Sequence, residues 1–210
     1  MGSVDPCTYT LSSNESVLVR TAAPDDAAGI IHVMKDVFEE RDYHLSVPDD
    51  FKGTEEEQQA WIQKFIDDPG KLMLVAEKDG VVVAVLEFEN DYRQRMKHRG
   101  TVWISILRDM RSRDLGTALG ISGWRWVQNN PLIEKVYMHV LHTNTRSLGL
   151  CKKMGFVEEA RLHHDVKLGP GQYADVVILS QHARPHELAQ VPPVTAPSPA
   201  RENGAVEKHA

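Results

Sequence analysis

Cysteine is scarce in this sequence: Cys7 and Cys151 are the only two in 210 residues. A disulfide framework is therefore not expected to hold the chain together, and a reducing compartment fits best. Long apolar runs are missing as well, since none approaches the roughly 18 residues that span a bilayer. The N-terminus has neither the basic nor the apolar region of a secretory signal. Pro6 stands where a myristoylation site carries Ser or Thr. These absences predict a cytoplasmic protein with no membrane partner. A basic excess is also lacking. The net charge is −6 and the pI near 5.9, which argues against nucleic acid as a partner.

What is present suits one globular domain. Hydrophobic residues make up 41% and charged residues 26% of the chain, enough to build a proper core. Residues 1–15 are polar and unpatterned and are expected to form a flexible N-terminus. Residues 184–210 contain VPPVTAPSPA and almost no large apolar side chains. Such a segment cannot offset its ordering entropy, so a disordered Pro-rich tail is expected. The domain itself is placed at 16–183.

Within it the elements follow a readable order. VLVRTA (17–22) reads as a strand, and Pro24-Asp25-Asp26 opens a helix running to Glu40. Thr54 caps a second helix through Ile66. Two β-rich runs flank Lys78-Asp79-Gly80, a strong hairpin signal. A strand at 99–107, a helix at 115–129 and a strand at 134–141 form a β-α-β unit, so those two strands are expected to be parallel. Residues 144–154 read as a short helix, and Gly169-Pro170-Gly171 as the turn of a final hairpin. The prediction is an α/β domain: a mixed, mostly antiparallel central sheet with one parallel β-α-β unit and flanking helices.

Ligands in such sheets gather at the carboxyl ends of parallel strands, and the segment RSRDLGTALG (111–120) lies there. A turn entering a helix offers backbone N–H groups to an anion, and Arg111 and Arg113 add positive charge. Asp114 sits in the middle of that turn. Its carboxylate either caps the helix, accepting from the N–H groups of Gly116 and Thr117, or competes with a phosphate for the same donors.

The order of elements, RSRDLG after strand ISIL, NTRSLGLCKKMGF (144–156) and GPGQYADVVIL (169–179) together resemble the GNAT superfamily of acyl-CoA-dependent N-acetyltransferases. The resemblance covers residues 17–181. It implies that acetyl-CoA is the co-substrate and that no metal is needed. The turn Arg111, Ser112, Arg113, Asp114, Leu115, Gly116 and Thr117 would wrap the CoA pyrophosphate, with Asp114 replacing the family's middle glycine. Asn144 and Ser147 would meet the pantetheine arm, Cys151 would lie near the thioester, and Ile104, Ile106 and Leu107 would lend backbone groups to pantetheine and thioester. Family members often carry at position 151 a tyrosine that protonates the departing thiolate. Cysteine is a weaker donor, so Cys151 is either that acid or a small buried hydrophobe, and water, Tyr137 or Tyr173 are the other sources of the proton.

An ammonium must lose a proton before it attacks a carbonyl. Glu87 and Glu89 share one face of a strand by period two, and one of them is the candidate base. By the same resemblance, Tyr43, His44 and Phe51 in the loop 41–53 would touch the acceptor. His163-His164-Asp165 is not read as a metal site, because neighbours on a strand point to opposite faces. The expected reaction is acetyl transfer to a primary amine of a small molecule by direct attack in a ternary complex. A peptide N-terminus or lysine is the alternative acceptor, a catalytically weak CoA-binding protein the rival. A homodimer is left open.

Overall fold

Eight strands form one open sheet: β1 (Cys7–Thr10), β2 (Ser16–Thr21), β3 (Lys71–Lys78), β4 (Val81–Asn90), β5 (Arg99–Ile106), β6 (Lys135–Leu141), β7 (Val157–Gly169) and β8 (Gln172–His182). Their order across the sheet is β1-β2-β3-β4-β5-β6-β8-β7, and only β5 and β6 run parallel. Among the described residues four α-helices flank it: α1 (Ala27–Glu39), α2 (Glu55–Asp67), α3 (Leu115–Asn129) and α4 (Thr145–Lys153). This computed structural model describes residues 2–40, 43–50 and 53–184. Phe51 and residues 185–210, to which the sequence reading gave an acceptor contact and a disordered tail, lie outside the described residues. The mixed sheet and its parallel pair are as the sequence predicts.

Local chemistry accounts for the element ends. Asp79 and Gly80 both have positive φ, 51° and 81°, the left-handed pair that a two-residue type I′ hairpin requires. At α2 the Thr54 hydroxyl accepts from the Glu57 N–H at 3.2 Å, and the Glu57 carboxylate accepts from the Thr54 N–H at 2.9 Å. This is a complete capping box. The N-terminal segment departs from expectation. Residues 7–10 are not a loose terminus but strand β1, paired with β2 and tied to α3 by a 2.9 Å hydrogen bond between Tyr9 Oη and Ser122 Oγ. Four residues are too few to show a pattern in sequence.

Each face of the sheet has its own core. Helices α1 and α2 pack Ile30, Val33, Val37, Ile62 and Phe65 against Met73, Val75 and Val85. Helix α3 packs Leu115, Leu119, Trp126 and Val127 against the opposite face, with Leu86, Phe88, Val136 and Met138. Between β5 and β6 the sheet opens. Their pairing runs only from Arg99 opposite Lys135 to Thr101 opposite Tyr137, although β5 continues to Ile106 and β6 to Leu141. The parting of the strands is what makes room for a ligand inside the sheet.

Candidate functional site

The opening between β5 and β6 leads into a groove of about 390 Å³. Ile104, Ser105 and Ile106 form one wall, Met138 the other, and the turn from Arg111 to Thr117 closes one end with Thr143–Ser147 at the start of α4. Two residues of that turn, Ser112 and Asp114, have left-handed backbones, φ 59° and 67°. This alternation curls the backbone so that successive N–H groups can face a common anion. The first N–H groups of α3, which have no partner within the helix, belong to the same turn. Gly116 is small for a reason: a Cβ there would meet Leu150 Cδ2 at 3.0 Å and Ile106 Cδ1 at 3.4 Å. The groove thus offers anion-binding geometry at one end and an apolar channel beyond it.

Asp114 differs from the sequence expectation. It stands at the N-cap position of α3 but makes no side-chain cap hydrogen bond. Its left-handed φ turns the carboxylate outward to Lys153 Nζ, 3.1 Å away, and this ion pair holds its pKa below the usual value. The position calls for glycine because of φ, and aspartate is among the few residues that tolerate it.

The cations of the turn are also engaged. Arg111 donates from Nε to the Ile106 carbonyl at 2.9 Å and from Nη1 to Glu40 at 2.5 Å. Glu40 also receives Arg108 at 2.6 Å. Burial alone would raise the Glu40 pKa, but the two arginines hold it below the usual range. Arg113 does not line the groove as expected; its guanidinium is taken by Glu15, whose pKa falls to about 2 through hydrogen bonds from Lys78, Ser13 and Arg113. Leu107 also leaves the groove, because its N–H donates to the Val83 carbonyl at 3.1 Å and its carbonyl accepts from Met110 at 3.0 Å.

Asn144 and Ser147 do line the groove. Asn144 Oδ1 caps α4, accepting from Ser147 N–H at 3.1 Å, and its Nδ2 donates to the Tyr43 carbonyl at 3.2 Å. Cys151 does not join them. It is fully buried, with Sγ 3.3 Å from Met138 Sδ, and burial pushes its thiol up to about 11. Residue 151 faces the core rather than the groove, so the expectation that Cys151 serves as acid or cofactor contact is corrected. Besides Ser147, the residues of α4 that line the groove are Thr145, Arg146, Gly149, Leu150 and Lys153, which sequence reasoning passed over. Lys153 follows Leu150 by three and so shares its face. That spacing was the available signal.

Tyr43 and His44 belong to the groove as well. His44 packs on Phe38 with ring centroids 4.7 Å apart, and burial lowers its pKa. Neither residue lines the second concavity, a cleft of about 1130 Å³ on the α1/α2 side of the sheet. Glu89, Thr101, Trp103, Tyr137 and His139 line that cleft. Glu89 is ion-paired with Lys71, whose Nζ also lies 5.7 Å from the Trp61 ring. Glu87 stands opposite Trp103 in the β4–β5 register, two residues past the last β5–β6 pair and so at the level where the strands part. Burial, with the charge of Glu89 adding to it, pushes the Glu87 carboxyl up to about 7 against a hydrogen bond from the Trp61 side chain. Of the tyrosines considered as acids, Tyr137 lies at the apex of the opening. Tyr173 is exposed on the final hairpin and lines neither cavity. Among the described residues no group of three or more His, Cys, Asp or Glu is placed to hold a metal ion.

The groove and the cleft thus flank the parting of β5 from β6, with Glu87 at that level of the sheet but in the lining of neither. The model of the acetyltransferase (GNAT) family matches residues 34–156. The chain belongs to the GNAT acetyltransferase family. As a GNAT enzyme it is an acyltransferase that uses acetyl-CoA. No curated protein matches it. Solved structures share the fold at low identity. A GNAT acetyltransferase from Streptococcus pneumoniae is 24% identical with a TM-score of 0.75, covering 79% of this chain and 98% of that one. The yncA protein from Salmonella typhimurium, solved with its cofactor acetyl-CoA, is 16% identical with a TM-score of 0.69, covering 82% and 97%. Spermidine N-acetyltransferase from Vibrio cholerae, in complex with CoA and spermine, is 20% identical with a TM-score of 0.65, covering 80% and 95%. Among the described residues no helix is long and apolar enough to cross a membrane.

Proposed function

We propose that this GNAT enzyme acetylates a primary amine of a small molecule by direct attack, with amine and acetyl-CoA bound together. The observation that carries the reading is the place of Glu87, opposite Trp103 at the level where β5 and β6 part, with burial pushing its carboxyl up to about 7. A base is most effective when its pKa lies near the working pH.

The groove fits acetyl-CoA on its own chemistry. The curled turn 112–117 and Arg111 would hold the pyrophosphate. Asn144 and Ser147 would meet the pantetheine arm, and the β5 backbone at Ile104 and Ile106 would orient the thioester carbonyl. Acetyl-CoA supplies the activated acyl group. Glu87 takes a proton from the acceptor ammonium, through water where the distance requires it, and leaves a neutral amine. Tyr137, at the apex of the opening, gives a proton to the departing thiolate and regains one from the attacking nitrogen, which leaves the neutral amide. Cys151 has no part in this, being sealed in the core. Direct attack needs no nucleophile on the protein.

The breadth of the cleft favours a second reading, a peptide N-terminus or lysine as acceptor. The test is thiol release from acetyl-CoA across amines, polyamines, amino acids and peptides, followed by initial rates with both substrates varied. Intersecting lines with a small amine support the reading. Parallel lines would point to an acyl-enzyme, and turnover of peptides alone to the second reading.

A further inference from the structure

Behind the groove lies a second space that the reaction as proposed does not use. It is an apolar cavity of about 40 Å³ between the sheet and helices α3 and α4. Apart from the Cys151 thiol and the Trp124 indole its walls are hydrocarbon or thioether: Leu86, Phe88, Val102 and Val136 come from the sheet, and Met154 and Phe156 from the helical side. Ile104, Met138 and Leu150 line both this cavity and the groove. Val102 and Met138 are the first residues beyond the last β5–β6 pair on their strands, so the cavity sits beside the opening of the sheet.

Two features create the space. Helix α3 presents two glycines to it, Gly120 and Gly123. Position 151 carries a side chain much smaller than tyrosine. A water-sized sphere needs about 10–15 Å³, so 40 Å³ holds two or three carbon-sized atoms. Apolar walls make water a poor occupant and a short alkyl chain a good one.

We propose that this cavity receives the alkyl carbons of acyl groups longer than acetyl, so that the enzyme accepts short-chain acyl-CoA donors such as propionyl-CoA. The inference rests on the functional reading above, which places the thioester at Ile104 and Ile106; Ile104 also lines the cavity. Transfer then balances as for acetyl: the amine nitrogen bonds to the acyl carbon and the carbon–sulfur bond breaks. Glu87 keeps one amine proton, and CoA leaves as the thiol after taking another. The occupant is the donor's chain because the cavity borders the groove and has no share in the lining of the acceptor cleft.

Calorimetry with acetyl-CoA, propionyl-CoA and butyryl-CoA on the full chain tests this without knowledge of the acceptor. Propionyl-CoA is expected to bind within threefold of acetyl-CoA or more tightly. Gly120→Ala places a methyl 3.3 Å from Met154 Cε, pressing a flexible side chain into the cavity, and alanine favours the helix over glycine. It should weaken propionyl-CoA at least fivefold and leave acetyl-CoA within twofold. Propionyl-CoA binding more than threefold weaker than acetyl-CoA overturns the proposal, as does a Gly120→Ala effect equal for both donors. Failure of acetyl-CoA itself to bind overturns the functional reading, so the two failures are distinct.

Discussion

At the scale of single residues, the account turns on how backbone and burial redirect side chains whose type alone was ambiguous. Asp114 was readable as a cap or as a misplaced glycine, and its φ of 67° decides for the second. Asp114→Gly therefore loses no cap. It relieves a strained backbone and frees Lys153, against the greater freedom of glycine in the unfolded chain. Its effect on stability in urea should stay within about 1 kcal/mol, while acetyl-CoA binds roughly tenfold tighter, equivalent to about 1.4 kcal/mol. Arg111→Ala should weaken binding by a similar factor in the same calorimeter. Unchanged affinity in Asp114→Gly would show that the carboxylate lies outside the phosphate's field. Glu87 and Cys151 carry the complementary lesson. Period two puts Glu87 and Glu89 on one face, but packing sets them apart: burial pushes the Glu87 carboxyl up to about 7, while Glu89 is tied to Lys71. The family resemblance put Cys151 near the thioester, yet the packing of α4 turns that position into the core.

Burial of Glu87 has a cost that pH exposes. Its folded pKa lies above the unfolded value of about 4.5, so the folded state holds the extra proton between pH 4.5 and about 7. Stability is thus greatest below that window and declines as pH rises through it. Above pH 7 the loss approaches about 3 kcal/mol as an upper bound. Glu87→Gln should raise the melting temperature at pH 8 and barely change it at pH 4. An equal shift at both pH values would mean that Glu87 ionises as freely folded as unfolded.

At the scale of elements, what was legible were those with strong local signals: the Asp79-Gly80 hairpin, the capped α2, and the strand–turn–helix at 99–129. Strand β1 was not, since its stability comes from pairing with β2 and from the Tyr9–Ser122 hydrogen bond, both nonlocal. Two measurements follow. Removing residues 1–10 should lower the melting temperature by several degrees, as expected for loss of a paired strand from a domain this size; no change would mean that β1 adds nothing. Thr54→Ala breaks the capping box of the helix that bears Trp61 and should cost about 1 kcal/mol in urea denaturation. The parting of β5 from β6 was foreseen only as a site at the carboxyl ends of parallel strands. How far the pairing extends depends on neighbouring strands, helices and turn, which periodicity does not encode.

At the scale of the whole molecule, two cavities flank the parting of β5 from β6: a groove closed at one end by the turn 111–117 and the start of α4, and an open cleft on the α1/α2 side. A net charge of −6 over the chain coexists with a cluster of cations at the turn, each held by a carboxylate of the chain itself: Arg111 by Glu40, Arg113 by Glu15 and Lys153 by Asp114. Family membership gives acetyl-CoA as a donor, and Glu87 as the base is the claim specific to this chain. The direct measurement is the pH dependence of kcat/KM for acetyl transfer to the best amine in the panel, in wild type and in Glu87→Gln. The account predicts a rate that rises with pH and levels above about 7 in wild type, with the glutamine variant slower by about 10²-fold or more while its acetyl-CoA affinity is unchanged. A Glu87→Gln enzyme within threefold of wild type, keeping the same rise near pH 7, would contradict it.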